Sequence, residues 1–287
     1  MGIVSELEKY YREHHIGAQD SEWPTANECC RNCFEETAAK GLRLTSPEEA
    51  YVGEQYENRG ANADGARVPR LLFVSLDPGG NLGENGEDNP EARTMKAVKN
   101  FVVVNKINDP IVDKKLNAHN RHWYQTHWIA AQVLAPFLKF NVDGGIKGAL
   151  EDVRPCFAHC RAVRCSQNKK NNAMVDKLLF NNCNEFLRDE IRILSPDILI
   201  SQGRYAADAI VKAFKKERAL IDPKYEEWVP LDQKYYEEWK KPDDGKILWI
   251  PIYHPRYGRY FAVNKLGFIA EGCYRKKIEE LYLSNHA

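Results

Sequence analysis

Neither sign of charge is in surplus. The chain sets 41 lysines and arginines against 41 aspartates and glutamates in 287 residues, a formal net charge of zero at pH 7. Without a net field, any hold on nucleic acid or an anionic membrane must come from a local patch. Long apolar runs are missing too. The longest, residues 71–76 and 247–252, fall far short of the roughly 20 residues a membrane-spanning helix needs, so no contact with a membrane is expected. Residues 1–9 lack the basic segment, apolar core and small-residue cleavage site of a secretory signal, which predicts a cytoplasmic protein. No internal repeat is visible. What is there, 43% hydrophobic and 29% charged residues, excludes a disordered or collagen-like chain and fits one large globular domain with peripheral additions.

Apolar and aromatic residues at helical spacing (Ile3, Leu7, Tyr10, Tyr11) predict a leading helix, which drifts into a polar loop before residue 28. The run Leu71, Leu72, Phe73, Val74, Ser75, Leu76 reads as a buried strand ended by Asp77-Pro-Gly-Gly-Asn81. Three more such strands are expected at 158–164, 197–201 and 247–253, interleaved with helices near 127–140, 175–193, 204–217 and 262–283. Strands alternating with helices predict an α/β fold whose parallel sheet is covered on both faces. Ligands in such sheets sit beyond the carboxyl ends of the strands, so chemistry is expected in the loops that begin at Asp77, Cys165, Gln202 and His254. The stretch 215–246, rich in Lys, Glu, Tyr and Trp, reads as a charged insertion.

Eight cysteines in a reducing compartment are better tested against metal sites than against a disulfide framework. Cys30-x2-Cys33 with the distant Cys165 and Cys183 can close a four-thiolate site for zinc or an iron-sulfur cluster. Cys156-x3-Cys160-x4-Cys165 is an alternative grouping, and ordinary buried cysteine is the other reading. His119, His122 and His127 stand at a spacing reminiscent of a metal-ligand cluster, but without nearby acids.

Four features then fall in one order: the Cys30-x2-Cys33 pair, the strand and turn Phe73-Val-Ser-Leu-Asp-Pro-Gly79, the segment Arg161-Ala-Val-Arg-Cys165 with the later Cys183, and Tyr253-His-Pro-Arg256. Together with Ser195-Pro-Asp-Ile-Leu-Ile-Ser-Gln-Gly-Arg-Tyr-Ala-Ala207, this order resembles the uracil-DNA glycosylase superfamily, in particular its iron-sulfur branch, over residues 29–287. Residues 1–28 would be a helical extension. The resemblance implies a three-layer αβα sandwich around a central four-stranded parallel sheet. It also implies a structural 4Fe-4S cluster on Cys30, Cys33, Cys165 and Cys183, DNA as partner, and a monomeric DNA glycosylase without a lysine nucleophile.

Hydrolysis of an N-glycosylic bond builds a sugar cation and negative charge on the departing base, so the enzyme must orient water, shield the cation and stabilise the leaving base. By the resemblance, Asp77 takes the first task and His254 the second. Arg256, Tyr257 and Arg259 would wedge the duplex and hold phosphates, and Gly79, Gly80 and Asn81 would let backbone approach the substrate. Two positions depart from the iron-sulfur branch. Leu76 replaces the usual acid of the first loop, with Asp77 one residue later, and Arg161 stands where that branch reads uracil with an asparagine. A guanidinium donates five hydrogen bonds and accepts none, which predicts an acceptor-rich base edge or a phosphate as its partner. Phe101, Trp123 and Tyr124 are candidates to stack on a flipped base. The departures also admit a nucleic-acid-binding protein that keeps the fold and cluster without catalysis, or an enzyme acting on a free nucleotide or nucleoside.

Overall fold

The computed structural model describes residues 2–17, 24–57, 67–76, 98, 118–138, 145–167, 177–214, 237–240, 246–252 and 254–255. In chain order the elements are α1 (Ile3–Glu13), α2 (Glu28–Ala39), β1 (Tyr51–Val52), β2 (Leu71–Ser75), α3 (Ala118–Leu134), α4 (Gly145–Val153), β3 (Phe157–Arg161), α5 (Lys177–Asn182), α6 (Asn184–Leu194), β4 (Ile198–Gln202), α7 (Arg204–Ala213), β5 (Glu237–Lys240) and β6 (Lys246–Ile252). The near-continuous apolar runs become strands buried on both faces: every residue of β2, β3 and β4 is buried.

The six strands form one sheet in the order β1-β3-β2-β4-β6-β5. Its four central strands are parallel, in the register Ser75 beside Arg161, Phe73 beside Ile200 and Gln202 beside Ile252. The α/β sandwich with a four-stranded parallel centre is therefore the fold, and antiparallel β1 and β5 are edge additions. Two residues of β1 and the charged Glu-Glu-Trp-Lys of β5 carry too little alternation to be read as strands.

Alternating residues divide the core. Leu71, Phe73, Phe157, Ile198, Ile200, Leu248 and Ile250 pack under α3 and α4. Leu72, Val74, Ala158, Cys160, Leu199 and Trp249 pack on the other face with residues of α1, α5, α6 and α7. The leading helix belongs to this second face, with Leu7 and Tyr11 buried against it. From β2 the chain crosses to β3 on one side, then returns to β4 on the other. The helices after β2 and after β4 thus lie on opposite faces, and the carboxyl ends of these two strands form the switch point at which such sheets are expected to hold a crevice.

Several helices differ from their expected limits. Helix α3 begins at 118 rather than 127, because its first turns bury His122, Gln125 and Thr126 where a periodic apolar stripe would be sought. The expected helix 175–193 is two helices broken at Cys183, and α2 and α4 lie where none was expected. The expected helix 262–283 lies outside the described residues.

Helix α3 also buries a histidine in the apolar layer. His127 Nδ1 donates to the Trp123 carbonyl at 2.8 Å, and its ring meets Phe157 edge-on at 5.1 Å. Burial pushes its pKa down to about 4 from the usual 6.5. Burial, helped by the Arg161 charge, also holds His159 well below that value. A depressed histidine stabilises the fold above the unfolded pKa and loses that contribution as pH falls through the folded one, because the unfolded imidazole takes a proton that the folded one refuses. For His127 this amounts to on the order of 3 kcal/mol between about pH 6.5 and 4. The urea midpoint should fall steadily across that window, and His127→Gln should flatten the fall. An unchanged pH slope in the variant would show that His127 is not the titrating group.

Candidate active site

At the carboxyl ends of the central strands the side chains facing α3 turn from apolar to polar. Ser75 of β2, His159 and Arg161 of β3 and Gln202 of β4 are all buried there. Opposite them, α3 presents His122 and Thr126. Gln202 Nε2 donates to Thr126 Oγ1 at 2.8 Å, and Thr126 Oγ1 donates to the His122 carbonyl at 3.0 Å, so the end of β4 is tied to the first turns of α3.

His254, two residues after β6, enters this group from the far side. Its ring centre is 5.4 Å from that of His122, and His122 lies 6.0 Å from His159. Gly203 permits the approach. Its φ is +95°, and a Cβ there would stand 3.1 Å from the His254 Cβ, while its amide donates to the Ile252 carbonyl at 2.7 Å. Both the left-handed backbone and the lack of a side chain are used here.

The Arg161 guanidinium is turned inward. It donates to Ser75 Oγ, lies over the Trp123 ring at 5.3 Å, and has Glu48 Oε2 4.0 Å from its Nε. The pairing across β2 and β3 thus fixes the backbone immediately before Leu76. Asp77, Gly79, Gly80 and Asn81, and beyond His254 the residues Arg256, Tyr257 and Arg259, lie outside the described residues, as does Phe101. Trp123 and Tyr124 are core residues rather than exposed stackers. Among the described side chains the spacing of the histidines does not carry over into space, since His127 packs on Phe157 while His122 faces His254. The sequence offers His122 only as a metal-ligand candidate and Gln202 only as the start of a loop, and it does not single out Ser75 or Glu48. The grouping of His122, Gln202 and Ser75 is found only by asking which strand-end and helix residues break an apolar pattern.

On the opposite face, Cys30, Cys33, Cys165 and Cys183 come together and line one recess, with Cys29 at its edge and Ile16, Leu179 and Phe186 as apolar walls. Local structure explains the convergence. Asn27 caps α2 by accepting from the Cys30 amide at 3.1 Å and donates to the His14 carbonyl at 2.9 Å. Thr37 of α2 accepts from Gln167 Nε2 at 3.2 Å, and Asn182 Nδ2 reaches Cys33 Sγ at 3.1 Å. Cys183 stands at the break between α5 and α6. Burial, then the proximity of Cys183, Cys30 and Cys33, pushes the Cys165 thiol well above its usual pKa, while burial holds Cys183 at about 11. None of the described cysteines is in a disulfide. Among the described residues no three Cys, His, Asp or Glu groups already stand in metal-holding geometry. The donor set nevertheless suits a soft metal centre: four thiols, from three separate stretches of chain, in an apolar recess. The alternative grouping does not form, because Cys156 belongs to the core under α3 and α4 whereas Cys160 and Cys165 belong to the other.

No curated protein matches the chain. The family model of the uracil DNA glycosylase superfamily matches residues 111–268, more than half of the chain, a span that runs from α3 through the strand-end residues of β3 and β4 to His254. The parallel sheet, its switch point between β2 and β4, and this match carry one conclusion: the chain belongs to the uracil DNA glycosylase superfamily.

Proposed function

We propose that the protein is a monofunctional DNA glycosylase that hydrolyses the N-glycosylic bond of a damaged or deaminated base held in the crevice between β2 and β4. The observation that carries this reading is the seating of His254 against Gly203 and His122 at the carboxyl ends of the parallel strands, within the span of the family match. A base turned out of the helix loses its stacking and must be received by polar groups already in place. The buried His122, His159 and Gln202 are such groups, and His254 donates to the departing base. Asp77, next in sequence to Leu76, orients the water and shields the sugar cation.

Arg161 bears on which base is taken. Its guanidinium is engaged by Ser75, Glu48 and Trp123, so it serves first to hold the backbone leading to Asp77. Where it does reach substrate, it favours an acceptor-rich edge or a phosphate over the uracil ring N–H.

Cys30, Cys33, Cys165 and Cys183 hold a 4Fe-4S cluster in this reading, and the gathering of the four thiols in one apolar recess supports it. When bound, the group cross-links the N-terminal helices to the stretch after β3 and to the α5–α6 junction; it takes no part in bond cleavage. Protein purified without oxygen should be brown, with about four iron atoms per chain, and Cys183→Ser should lose colour and solubility. Colourless protein with stoichiometric zinc would overturn the assignment.

The catalytic pair is tested in single-turnover assays on oligonucleotides carrying uracil, hypoxanthine, xanthine and other lesions. With the best substrate, Asp77→Asn and His254→Ala should each lower the rate about 100- to 1,000-fold with little change in DNA affinity, because both groups act in the transition state. If Asp77 only caps a turn, asparagine replaces it with almost no loss, and near wild-type cleavage by Asp77→Asn removes it from the mechanism. A chain that binds DNA but cleaves none of the panel would mark a binding protein instead.

A further inference from the structure

Leu76, the residue after β2, is turned to the face of the sheet opposite α3 and forms part of a cleft there. This cleft has a volume of about 360 Å³ and lies between α5 and α7. Phe180, Tyr205 and Val211 supply its apolar surface, and Lys177 and Lys212 its charge. Lys177 is the first residue of α5 and Tyr205 the second of α7, so the cleft opens at the same rim of the sheet as the crevice.

Three observations describe its ligand. Tyr205 is 42% exposed, one of few large apolar side chains so open among the described residues, and it stands two residues from the Gly203 that seats His254. The Lys212 ammonium lies 4.4 Å over the Phe180 ring, which holds a cation at an aromatic wall. The one carboxylate among the described lining residues, Asp208, has Arg204 3.9 Å away, so the two lysines leave the cleft positive. An open aromatic ring beside positive charge is the equipment of a single-strand nucleotide site, where a base stacks and its phosphate is neutralised. The volume, at the lower end of the range for small-ligand pockets, suits one nucleotide rather than a duplex. The target base is not its occupant, because His122, His159 and His254 lie on the other side of β2.

We propose that this cleft binds a nucleotide flanking the target base on the same strand, its base stacked on Tyr205 and its phosphate held by Lys177 and Lys212. The inference rests on the glycosylase reading and deepens it. A flanking base can reach Tyr205 only if it is unstacked from its neighbours, so the preferred substrate is single-stranded or locally opened DNA.

The test is binding, measured by fluorescence anisotropy on single-stranded oligonucleotides with a central uncleavable abasic analogue, either with normal flanking nucleotides or with the flanking bases also removed. Tyr205→Ala should weaken binding to the first about tenfold or more, and Tyr205→Phe should restore it. Removing the flanking bases should weaken the wild type similarly and leave Tyr205→Ala almost unchanged. Lys177→Ala and Lys212→Ala should each lower the salt slope of binding by about 0.7. Equal affinity of wild type and Tyr205→Ala, a loss independent of the flanking bases, or full competition by a free nucleoside monophosphate overturns the subsite. Wild-type protein that binds no oligonucleotide at all overturns the glycosylase reading itself, so the two failures are distinct.

Discussion

Arg164 is a buried cation, and much of the fold is arranged around that fact. It is ion-paired to the equally buried Glu190 of α6, lies 5.8 Å over the Tyr11 ring of α1, and donates to the Glu48 carbonyl at 2.7 Å. Tyr11 in turn hydrogen-bonds Glu190 and accepts from the Ala50 amide at 2.9 Å. Removing one partner of a buried ion pair costs about 3–5 kcal/mol, because the other charge is left without water or counter-charge. Four stretches of chain must therefore stay assembled: the first helix, the segment before β1, the end of β3, and α6. Arg164 also adjoins Cys165 and lines the thiol recess. The ion pair that fixes the end of β3 thus fixes the position at which the cysteines can meet.

From the same strand the chain serves both faces of the sheet. Alternation along β3 sends Phe157, His159 and Arg161 toward α3 and Ala158 and Cys160 toward α6 and α7, so one strand end carries the polar floor of the crevice while the next few residues lead to the thiols. The segment 44–50 binds the two together. Its amides and carbonyls pair with the chain at 164–166, and Glu48 faces both arginines, Arg161 through its carboxylate and Arg164 through its carbonyl.

The parallel strands were legible because burial on both faces leaves a continuous apolar run, a signal that survives without any knowledge of partners. The convergence of the cysteines was legible for a different reason. Thiols at short spacing plus two distant ones have few geometric solutions, and the fold back of α2 onto the stretch after β3 realises one of them. What stayed hidden was whatever depends on a partner distant in sequence. The grouping of His122, Gln202 and Ser75 is invisible until β4 and α3 are brought together, and α3 starts nine residues before its expected limit because its polar inner face breaks the apolar period. The short edge strands are defined by pairing with β3 and β6, not by their own composition.

Arg161 shows how a departure from a family pattern can be absorbed. Read in sequence, a guanidinium in place of an asparagine looks like a change of base recognition. In the structure its donors turn toward Ser75 Oγ and Glu48, and its face lies on Trp123, so the change is compensated by neighbours that a smaller amide would not reach. The side chain thereby fixes the strand end from which Leu76 and Asp77 follow in sequence. On the proposed reading, base discrimination then falls to His122, His159 and Gln202, of which only Gln202 lies in a segment that carried the resemblance. If that reading holds, specificity depends on how α3 packs against the sheet, and substitutions in the first turns of α3 should alter the choice of base more than substitutions at Arg161 itself.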